Sequence, residues 1–361
     1  MLSKRALAAK VNWAEAANAA ASLLLDIHSY RIEKALDPLE EAGYVSLVAS
    51  LAEKLKSSAS KTERKNIEAA IKLLDVDWTS LSDKEKSDVL VLVEEQLEET
   101  SSQAIPLILA AIGVGLIAFG RKTRGSLVET HGLKTPKGLS ETQESVIDAV
   151  SEIGPWLALE YERRLSRVSR DVRAIIDAGL KQGKTAAEIH AELSAVVPKF
   201  GLSYNDNYWL LVADNLMNRV RSYVSLSTFK KVGITKYRFT AVMDERTTIE
   251  CRMLHGTIFD VEAGLSKYQD LFAKSATDPM ALEKVMPFVK RRKAAGGATE
   301  LYVTDAAGND VTIGVNTLSG VGQEGATGAY KDVLSPDELE ALGVAVPPIH
   351  HGCRSAIIPV R

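Results

Sequence analysis

Residues 234–242 read I-T-K-Y-R-F-T-A-V, and the period of the apolar residues changes at this stretch. Tyr237, Phe239 and Ala241 alternate with charged or hydroxyl side chains, which is typical of a strand with one buried face. Upstream of Gly233 the apolar residues recur at helical spacing, as in the series from Trp209 to Val224. The sequence therefore predicts an α+β fold, in which a mostly helical amino-terminal two-thirds precedes a small mixed α/β carboxy-terminal domain.

The composition excludes several classes of protein. The chain has 361 residues, of which 46% are hydrophobic and 25% charged, so there is ample apolar material for a sizeable core. Two cysteines are too few for a disulfide-stapled scaffold or for an all-cysteine zinc or iron-sulfur site within one chain. Aromatic residues make up only 6%, which argues against a stacking platform for single-stranded nucleic acid.

The changes in composition along the chain predict four regions. Residues 1–103 form an amino-terminal helical region, 104–138 an apolar helix with its connector, and 139–233 a second helical region. Residues 234–361 form the mixed domain, which contains a loop-rich insertion at about 263–345.

The formal net charge of −3 conceals an uneven distribution. Residues 121–240 carry 19 basic and 13 acidic side chains, a surplus of +6. Residues 1–100 sum to −5 and residues 241–361 to −4. We therefore expect a polyanion to meet the middle third of the chain first.

Helix boundaries follow from breaks and capping residues. Between 11 and 99 we expect three or four helices, with breaks near Pro38 and Gly43, at 57–62 and at 79–83. A capping box at Thr185 and a start near Asn205 predict two helices further on. Short strands are also expected at 257–261, 300–304, 311–315 and 354–360.

The most unusual segment is 104–120, seventeen uncharged residues followed at once by Arg121 and Lys122. As a helix it would be about 25 Å long, slightly short of a hydrocarbon core of about 30 Å. One interpretation is a helix buried on all sides by its neighbours or by other copies, and the other is a segment that inserts in a bilayer at some stage. The residues concerned are Ile105, Leu109, Ile112, Leu116 and Phe119.

Both cysteines and three of the six histidines fall in two short clusters, C-R-M-L-H at 251–255 and H-H-G-C at 350–353. Cys251 and His255, with Cys353 and either His350 or His351, offer two sulfurs and two imidazoles to one tetrahedral zinc. A disulfide and metal-free packing of buried thiols are the alternatives. With or without metal we expect the two clusters to meet, because the final strand is most simply placed beside the Cys251 turn, and we expect Asp244 to cap or hydrogen-bond that turn.

A nucleophilic interpretation uses the same residues. Cys251 or Cys353 would act as thiolate, His350 as base and Asp244 as the group that orients the imidazole. A nucleophile elbow, a papain-like signature and a phosphate-binding glycine loop are all missing from the sequence. The sequence therefore favours a protein that is not an enzyme.

A second charged feature lies between Phe288 and the flexible stretch A-A-G-G. It is the densest basic cluster of the chain, and two interpretations are open: a solvated face, as most such runs are, or a loop that contacts phosphate or an acidic protein surface. Its residues are Lys290, Arg291, Arg292 and Lys293.

Three blocks of sequence carry a resemblance to a known family. They read V-A-D-N-L-M-N-R-V-R-S-Y-V (212–224), F-K-K-V-G-I-T-K-Y-R-F-T-A-V-M-D-E-R-T-T-I-E-C-R-M-L-H-G (229–256) and P-P-I-H-H-G-C-R-S-A-I-I-P-V (347–360). In order and spacing they resemble the phage head-morphogenesis family of minor capsid proteins, the Mu F-like type. The positions that match the family motif are Asp244, Arg246, Thr247, Cys251, Gly256, Pro347, Pro348, His350, Cys353 and Arg354.

The chain departs from the family pattern at two positions. Many relatives have a further cysteine three residues before the one matching Cys251, and another two residues after the one matching Cys353. This chain has Thr248 and Ser355 there, so two metal ligands of the family are missing and His255 would have to substitute.

The resemblance implies a structural role in the virion. Family members are low-copy proteins of the portal vertex and the head interior, and some influence genome ejection. For this chain it implies assembly in the bacterial cytoplasm, several copies in the virion, and contacts with the portal protein and with inner capsid or scaffolding proteins. Non-specific contact with packaged DNA, and with a host membrane after ejection, are further expectations. A virion-borne Cys/His hydrolase and an ejected membrane-active protein are the alternatives.

Overall fold

The computed structural model describes residues 44–317 and 329–360, except positions 142, 145–146, 148–153, 203–204, 245 and 276. The first helices are α1 (Tyr44–Leu73), α2 (Asp83–His131), α3 (Gly154–Lys181), α4 (Ala186–Val196) and α5 (Asp206–Lys231), with a 3-10 turn at Val197–Phe200. After them come β1 (Lys236–Thr240), α6 (Ile249–Leu254), β2 (Ile258–Asp260), α7 (Val261–Ser275), α8 (Ala281–Val285) and β3 (Lys290–Lys293). A 3-10 turn at Ala295–Gly297, β4 (Thr299–Thr304), β5 (Asp310–Asn316), β6 (Tyr330–Lys331), α9 (Pro336–Leu342) and β7 (Ala356–Val360) complete the described elements. The predicted α+β class is confirmed.

Side-chain caps start several of the helices where the sequence predicts them. Ser82 accepts from the backbone N–H of Glu85 and Thr185 from that of Glu188, and each glutamate carboxylate in turn accepts from the backbone N–H of its cap residue. Asn205 caps α5 at the predicted start. The predicted strands at 257–261, 300–304, 311–315 and 354–360 coincide with β2, β4, β5 and β7.

Two predicted breaks are wrong. Helix α1 runs without interruption through 57–62, because Ser57 and Ser58 both donate to the carbonyl of Lys54 and the buried face continues through Leu55 and Ala59. Helix α2 continues through the predicted connector as far as His131, where Gly132 adopts a left-handed conformation and ends it. The predicted breaks at Pro38 and Gly43 lie outside the described residues.

The apolar segment 104–120 lies in the middle of α2 and is buried on one face only. Ile112 and Leu116 are fully buried and Phe119 nearly so, whereas Ile105 and Leu109 are half-buried. On the opposite face Leu107 is 51% exposed and Val114 is 74% exposed. Among the described residues α1, α3 and α5 pack against α2 but leave this face exposed, so they do not cover the helix on all sides.

Helix α5 is the centre of the fold. Sixteen of its 26 residues are buried, and it packs against α1, α2, α7 and β7. The larger apolar core follows α5 from the amino-terminal half of α1 to both carboxy-terminal sheets. A second core joins the far halves of α1 and α2 to α3 and α4. Helix α5 thus connects the helical region directly to the mixed domain.

The carboxy-terminal domain contains two antiparallel sheets, one with the order β2-β1-β7 and the other β3-β4-β5-β6. Within 263–345 the chain forms most of α7, α8, four strands and α9, so the expectation of a loop-rich insertion is wrong for its described part. The period-2 pattern of β4 and β5, with Leu301, Val303 and Ile313 fully buried, accounts for the sheet. Residues 318–328 lie outside the described residues.

Candidate metal centre

The pairing of β1 with β7 brings the two Cys/His clusters together. The strands are antiparallel, with Thr240 opposite Ala356. The segment that follows β1 and the segment that precedes β7 therefore lie at the same end of the sheet. Helix α6 on the first segment carries Cys251, and the turn on the second carries His350 and Cys353.

Three candidate ligand atoms lie together at this end of the sheet. Sγ of Cys251 is 3.7 Å from Sγ of Cys353 and 3.0 Å from Nε2 of His350, and all three atoms are within 4.8 Å of one another. Cys251 is 3% exposed and Cys353 is 1% exposed. Two thiols and an imidazole in this arrangement can hold a metal ion, and the predicted convergence of the two clusters is confirmed.

The imidazole of His350 is oriented for coordination. Its Nδ1 lies 2.7 Å from the carbonyl oxygen of His351, so Nδ1 carries the proton and donates it there. Nε2 then presents its lone pair toward the sulfur of Cys251. A hydrogen bond that fixes the ring and its tautomer in this way is usual for a metal-binding histidine.

The close contact of the two thiols shifts their pKa values in opposite directions. Burial alone would raise the pKa of Cys353, but the adjacent Cys251 thiol and the nearby His350 imidazole hold it well below its ordinary value. The hydrogen bond with Cys353, together with burial, raises the pKa of Cys251. Cys353 is therefore the more readily ionised sulfur of the pair.

Two hydroxyl groups complete the surroundings of the sulfurs. The hydroxyl of Thr248 lies 3.0 Å from Nε2 of His350. The hydroxyl of Ser355 donates to Sγ of Cys251 at 3.2 Å. These are the two positions at which the family pattern has its additional cysteines.

His255 does not belong to the ligand group. Its Nδ1 accepts a hydrogen bond from the backbone N–H of Ala241 at 3.1 Å, which fastens α6 to the end of β1. The prediction that His255 replaces a missing cysteine ligand is therefore wrong. The physical reason is that α6 ends at Leu254, so His255 turns back toward β1.

Four other residues of the quoted motif form a hydrogen-bonded group beside the cluster, called the clamp below: Asp244, Arg246, Thr247 and Arg354. Arg354 donates to both carboxylate oxygens of Asp244, with Nη1 to Oδ2 at 2.7 Å. The same carboxylate accepts from the backbone N–H of Arg246 at 2.9 Å and from the hydroxyl of Thr247 at 3.0 Å. The hydrogen bonds from Arg354 are the main cause that lowers the pKa of Asp244 to about 2. The predicted hydrogen bonding of the turn before Cys251 by Asp244 is confirmed.

The clamp separates Asp244 from the histidine. Because its carboxylate is bound to Arg354, and because Nδ1 of His350 donates to a backbone carbonyl, the Cys–His–Asp relay of the nucleophilic alternative is not formed.

Gly256, Pro347 and Pro348 of the quoted motif determine the course of the backbone near the cluster. Gly256 adopts φ = 85°, in the left-handed region that favours glycine, and its N–H donates to the carbonyl of Phe239. Pro347 and Pro348 are joined by a cis peptide bond, and the carbonyl of Pro347 accepts from Ser222 on α5 at 2.8 Å. Asn218, also on α5, donates to the carbonyl of Cys353 at 2.9 Å.

The basic run forms the edge strand β3 and is not a loop. Arg291 binds the buried carboxylate of Glu250, the residue next to Cys251, with Nη2 to Oε2 at 2.7 Å. Arg292 binds Glu300 and Asp310. Much of the charge expected to contact phosphate is thus compensated within the chain. The pairing of Glu250 with Arg291 was not predicted. The two residues are 41 positions apart, and no sequence pattern links them.

Known proteins give no independent assignment of this centre. The chain was compared with family models, curated proteins and solved structures, and none of them matches.

Proposed function

We propose that this protein is a structural, non-enzymatic minor head protein of a tailed bacteriophage, bound at the portal vertex or the inner capsid wall. One observation carries the proposal. The second and third of the sequence blocks that resemble the head-morphogenesis family are about ninety residues apart, yet their motif residues meet at one cluster. Both pairs, Asp244 with Arg354 and Cys251 with Cys353, join one block to the other.

The positions at which the chain departs from the family pattern support the same proposal. Thr248 and Ser355 touch His350 and Cys251 directly, so the family's additional cysteines would fall inside this cluster. This placement supports the interpretation of the motif as one site.

Zinc is the metal we propose for the centre. Thiolate and imidazole are ligands that zinc prefers, and a site made of both is typically tetrahedral. Cys251, Cys353 and His350 would supply three ligands, and the fourth place is left to a hydroxyl or to water. The burial of both thiols favours a structural site over one that receives a substrate.

A bound metal would hold the carboxy-terminal domain closed. It would join α6 to the turn before β7. It would thereby fix the end of the three-stranded sheet at which Thr240 of β1 pairs with Ala356 of β7. The binding free energy of a structural metal adds to the stability of the folded state. A domain closed in this way suits a protein that remains in place inside a particle.

The exposed apolar face of α2 supports contacts with other subunits. Leu107 and Val114 lie in the most apolar part of the helix, of which only a third is buried. Within the described residues, α2 is also the one helix long and apolar enough to cross a membrane. We propose that this face packs against the portal or the inner capsid, and membrane insertion after ejection is the competing outcome.

The location of the chain in purified particles tests the proposal. Cryo-electron microscopy without imposed symmetry at the portal vertex should show density that fits α1–α5 there or on the inner capsid wall. Mass spectrometry of the same particles should detect the chain in several copies. Its absence from intact heads, with the chain present only in the cytosol of infected cells, would overturn the proposal.

A further inference from the structure

Helix α3 presents a row of arginines to solvent. Its buried face is apolar and includes Tyr161, Val168 and Val172, which pack against the rest of the helical region. The exposed face carries arginines at three- and four-residue spacing, which places them along one side of the helix. They are Arg163, Arg167, Arg170 and Arg173. At 1.5 Å per residue the row is about 15 Å long.

Most of this charge is not compensated within the described part of the chain. Arg163 pairs with Glu160 at 2.7 Å and contacts the sulfur of Met280. Arg167, Arg170 and Arg173 form no hydrogen bond or ion pair with any described residue. This distinguishes the row from the basic strand β3, whose two arginines are bound to carboxylates.

The residue type favours phosphate as the partner. Five of the six basic residues of α3 are arginine, and the sixth is Lys181. The guanidinium group presents its N–H donors in a planar fork that matches phosphate oxygens, whereas lysine acts as a point charge. The four acidic residues of α3 leave the helix with a net charge of 6 − 4 = +2. Its neighbours along the sequence add to the surplus, since residues 121–240 carry 19 basic and 13 acidic side chains.

We propose that the row of Arg167, Arg170 and Arg173, extended by Arg163, binds the phosphate backbone of double-stranded DNA. A duplex carries one negative charge per 1.7 Å of its axis, so a row about 15 Å long faces about nine phosphate charges. The row reads no sequence, because these contacts involve the backbone and not the bases. The choice of DNA over an acidic protein rests on the proposed function, which places the chain beside packaged DNA.

The test measures binding of the purified full-length chain to a fluorescently labelled 30-base-pair duplex of random sequence. Anisotropy titrations from about 50 to 200 mM salt give both the affinity and its salt dependence. The variant Arg167→Gln/Arg170→Gln/Arg173→Gln removes three charges from α3. A matched control, Lys61→Gln/Arg64→Gln/Lys65→Gln, removes three exposed charges from α1. Circular dichroism checks that both variants are folded.

The α3 variant should lose about tenfold or more in affinity near 100 mM salt, and the slope of log K against log[salt] should fall by two to three, since each phosphate contact contributes about 0.9. The control should change affinity by less than about threefold. Equal losses in the two variants would show a general charge effect and overturn the assignment. Absence of DNA binding by the wild-type chain would also overturn it, and binding of polyglutamate in place of DNA would identify an acidic partner instead. All of these results are independent of where the chain lies in the particle.

Discussion

The hydroxyl of Ser355 donates a hydrogen bond to Sγ of Cys251 at 3.2 Å, across 104 residues of sequence. The hydroxyl of Thr248 contacts the same cluster at Nε2 of His350, at 3.0 Å. Under the proposed family assignment, each hydroxyl stands where the pattern has a thiol, and the cluster would hold two fewer sulfurs than that pattern.

Restoring these two thiols should strengthen metal binding. In the variant Thr248→Cys/Ser355→Cys the new sulfurs lie within reach of the existing ligands, and a four-coordinate site with more thiolates binds zinc more tightly. We expect the dissociation constant for zinc to fall by about tenfold or more, measured by competition with a chromophoric chelator. The control Ser266→Cys, which adds an exposed thiol on α7, should leave it unchanged. Equal affinities of wild type and the double variant would contradict the placement of the two hydroxyls.

The pair of Asp244 and Arg354 should stabilise the domain through its two parallel hydrogen bonds. Arg354→Lys keeps the charge but loses the bidentate geometry, and should lower the free energy of unfolding by about 1 to 2 kcal/mol. Asp244→Asn should have a similar effect. A double-mutant cycle by chemical denaturation should therefore show coupling, and additive losses would contradict the pairing.

The pair also predicts a dependence on pH. Because the pKa of Asp244 is lowered to about 2 in the folded chain, its contribution is fully present above about pH 4 and is lost as the pH falls toward 2. The difference in unfolding free energy between wild type and Asp244→Asn should shrink over that range. A difference that stays constant would show that the carboxylate is not held in its ionised form.

Asp214 should have the opposite effect. Burial is the main cause that raises its pKa to about 6, although Tyr44 and Asn218 both donate to Oδ1. A carboxylate whose pKa is higher in the folded chain than in the unfolded one destabilises the fold when ionised. Asp214→Asn retains the acceptor, so at pH 7 it should stabilise the protein by on the order of 1 to 2 kcal/mol. That gain should disappear as the pH falls through 6 toward 4, and denaturation curves at pH 7 and pH 4 measure it. A gain of equal size at both values would exclude ionisation as its cause.

Two neighbouring positions on α2 should separate folding from assembly. Ile112→Asp places a carboxylate on the fully buried face and should destabilise the chain by about 4 kcal/mol or more. Val114→Asp alters a side chain that is 74% exposed, so the melting temperature of the isolated chain should change little. It should nevertheless reduce the amount of chain in purified heads, measured by immunoblot. Normal incorporation would show that this face does not contact the portal or capsid. Liposome flotation of the wild-type chain, abolished by Val114→Asp, would instead indicate a membrane partner.

Local chemistry allowed the helix starts and the strands to be predicted from the sequence. The caps at Ser82, Thr185 and Asn205 each act within three residues of their partners, so the signal is contained in a short window. The alternation from Tyr237 to Ala241 is equally local. The convergence of Cys251 with Cys353 could be predicted because placing the final strand beside the Cys251 turn is the simplest way to join the two ends of the domain, and β7 does pair with β1.

The predictions that failed depend on contacts between residues that are far apart in the sequence, which a short stretch of sequence does not reveal. The placement of His255 depends on where α6 ends and on the backbone N–H of Ala241, 14 residues earlier. Arg291 faces Glu250 only because β3 and α6 meet in space, so its charge could not be assigned to that carboxylate beforehand. The exposed face of α2 could not be predicted, because the segment 104–120 is apolar on every side. Its sequence therefore does not indicate which side the neighbouring helices cover.

The metal content of the purified chain tests the central claim most directly. Elemental analysis after mild purification, with the Cys251→Ser/Cys353→Ser variant as control, should find about one zinc per wild-type chain and less than about a tenth of an equivalent in the variant. Removing zinc with a chelator should lower the melting temperature of the wild-type chain, and adding it back should restore it. Less than about a tenth of an equivalent of zinc in the wild-type chain, with no change in melting temperature on adding zinc, would contradict the account.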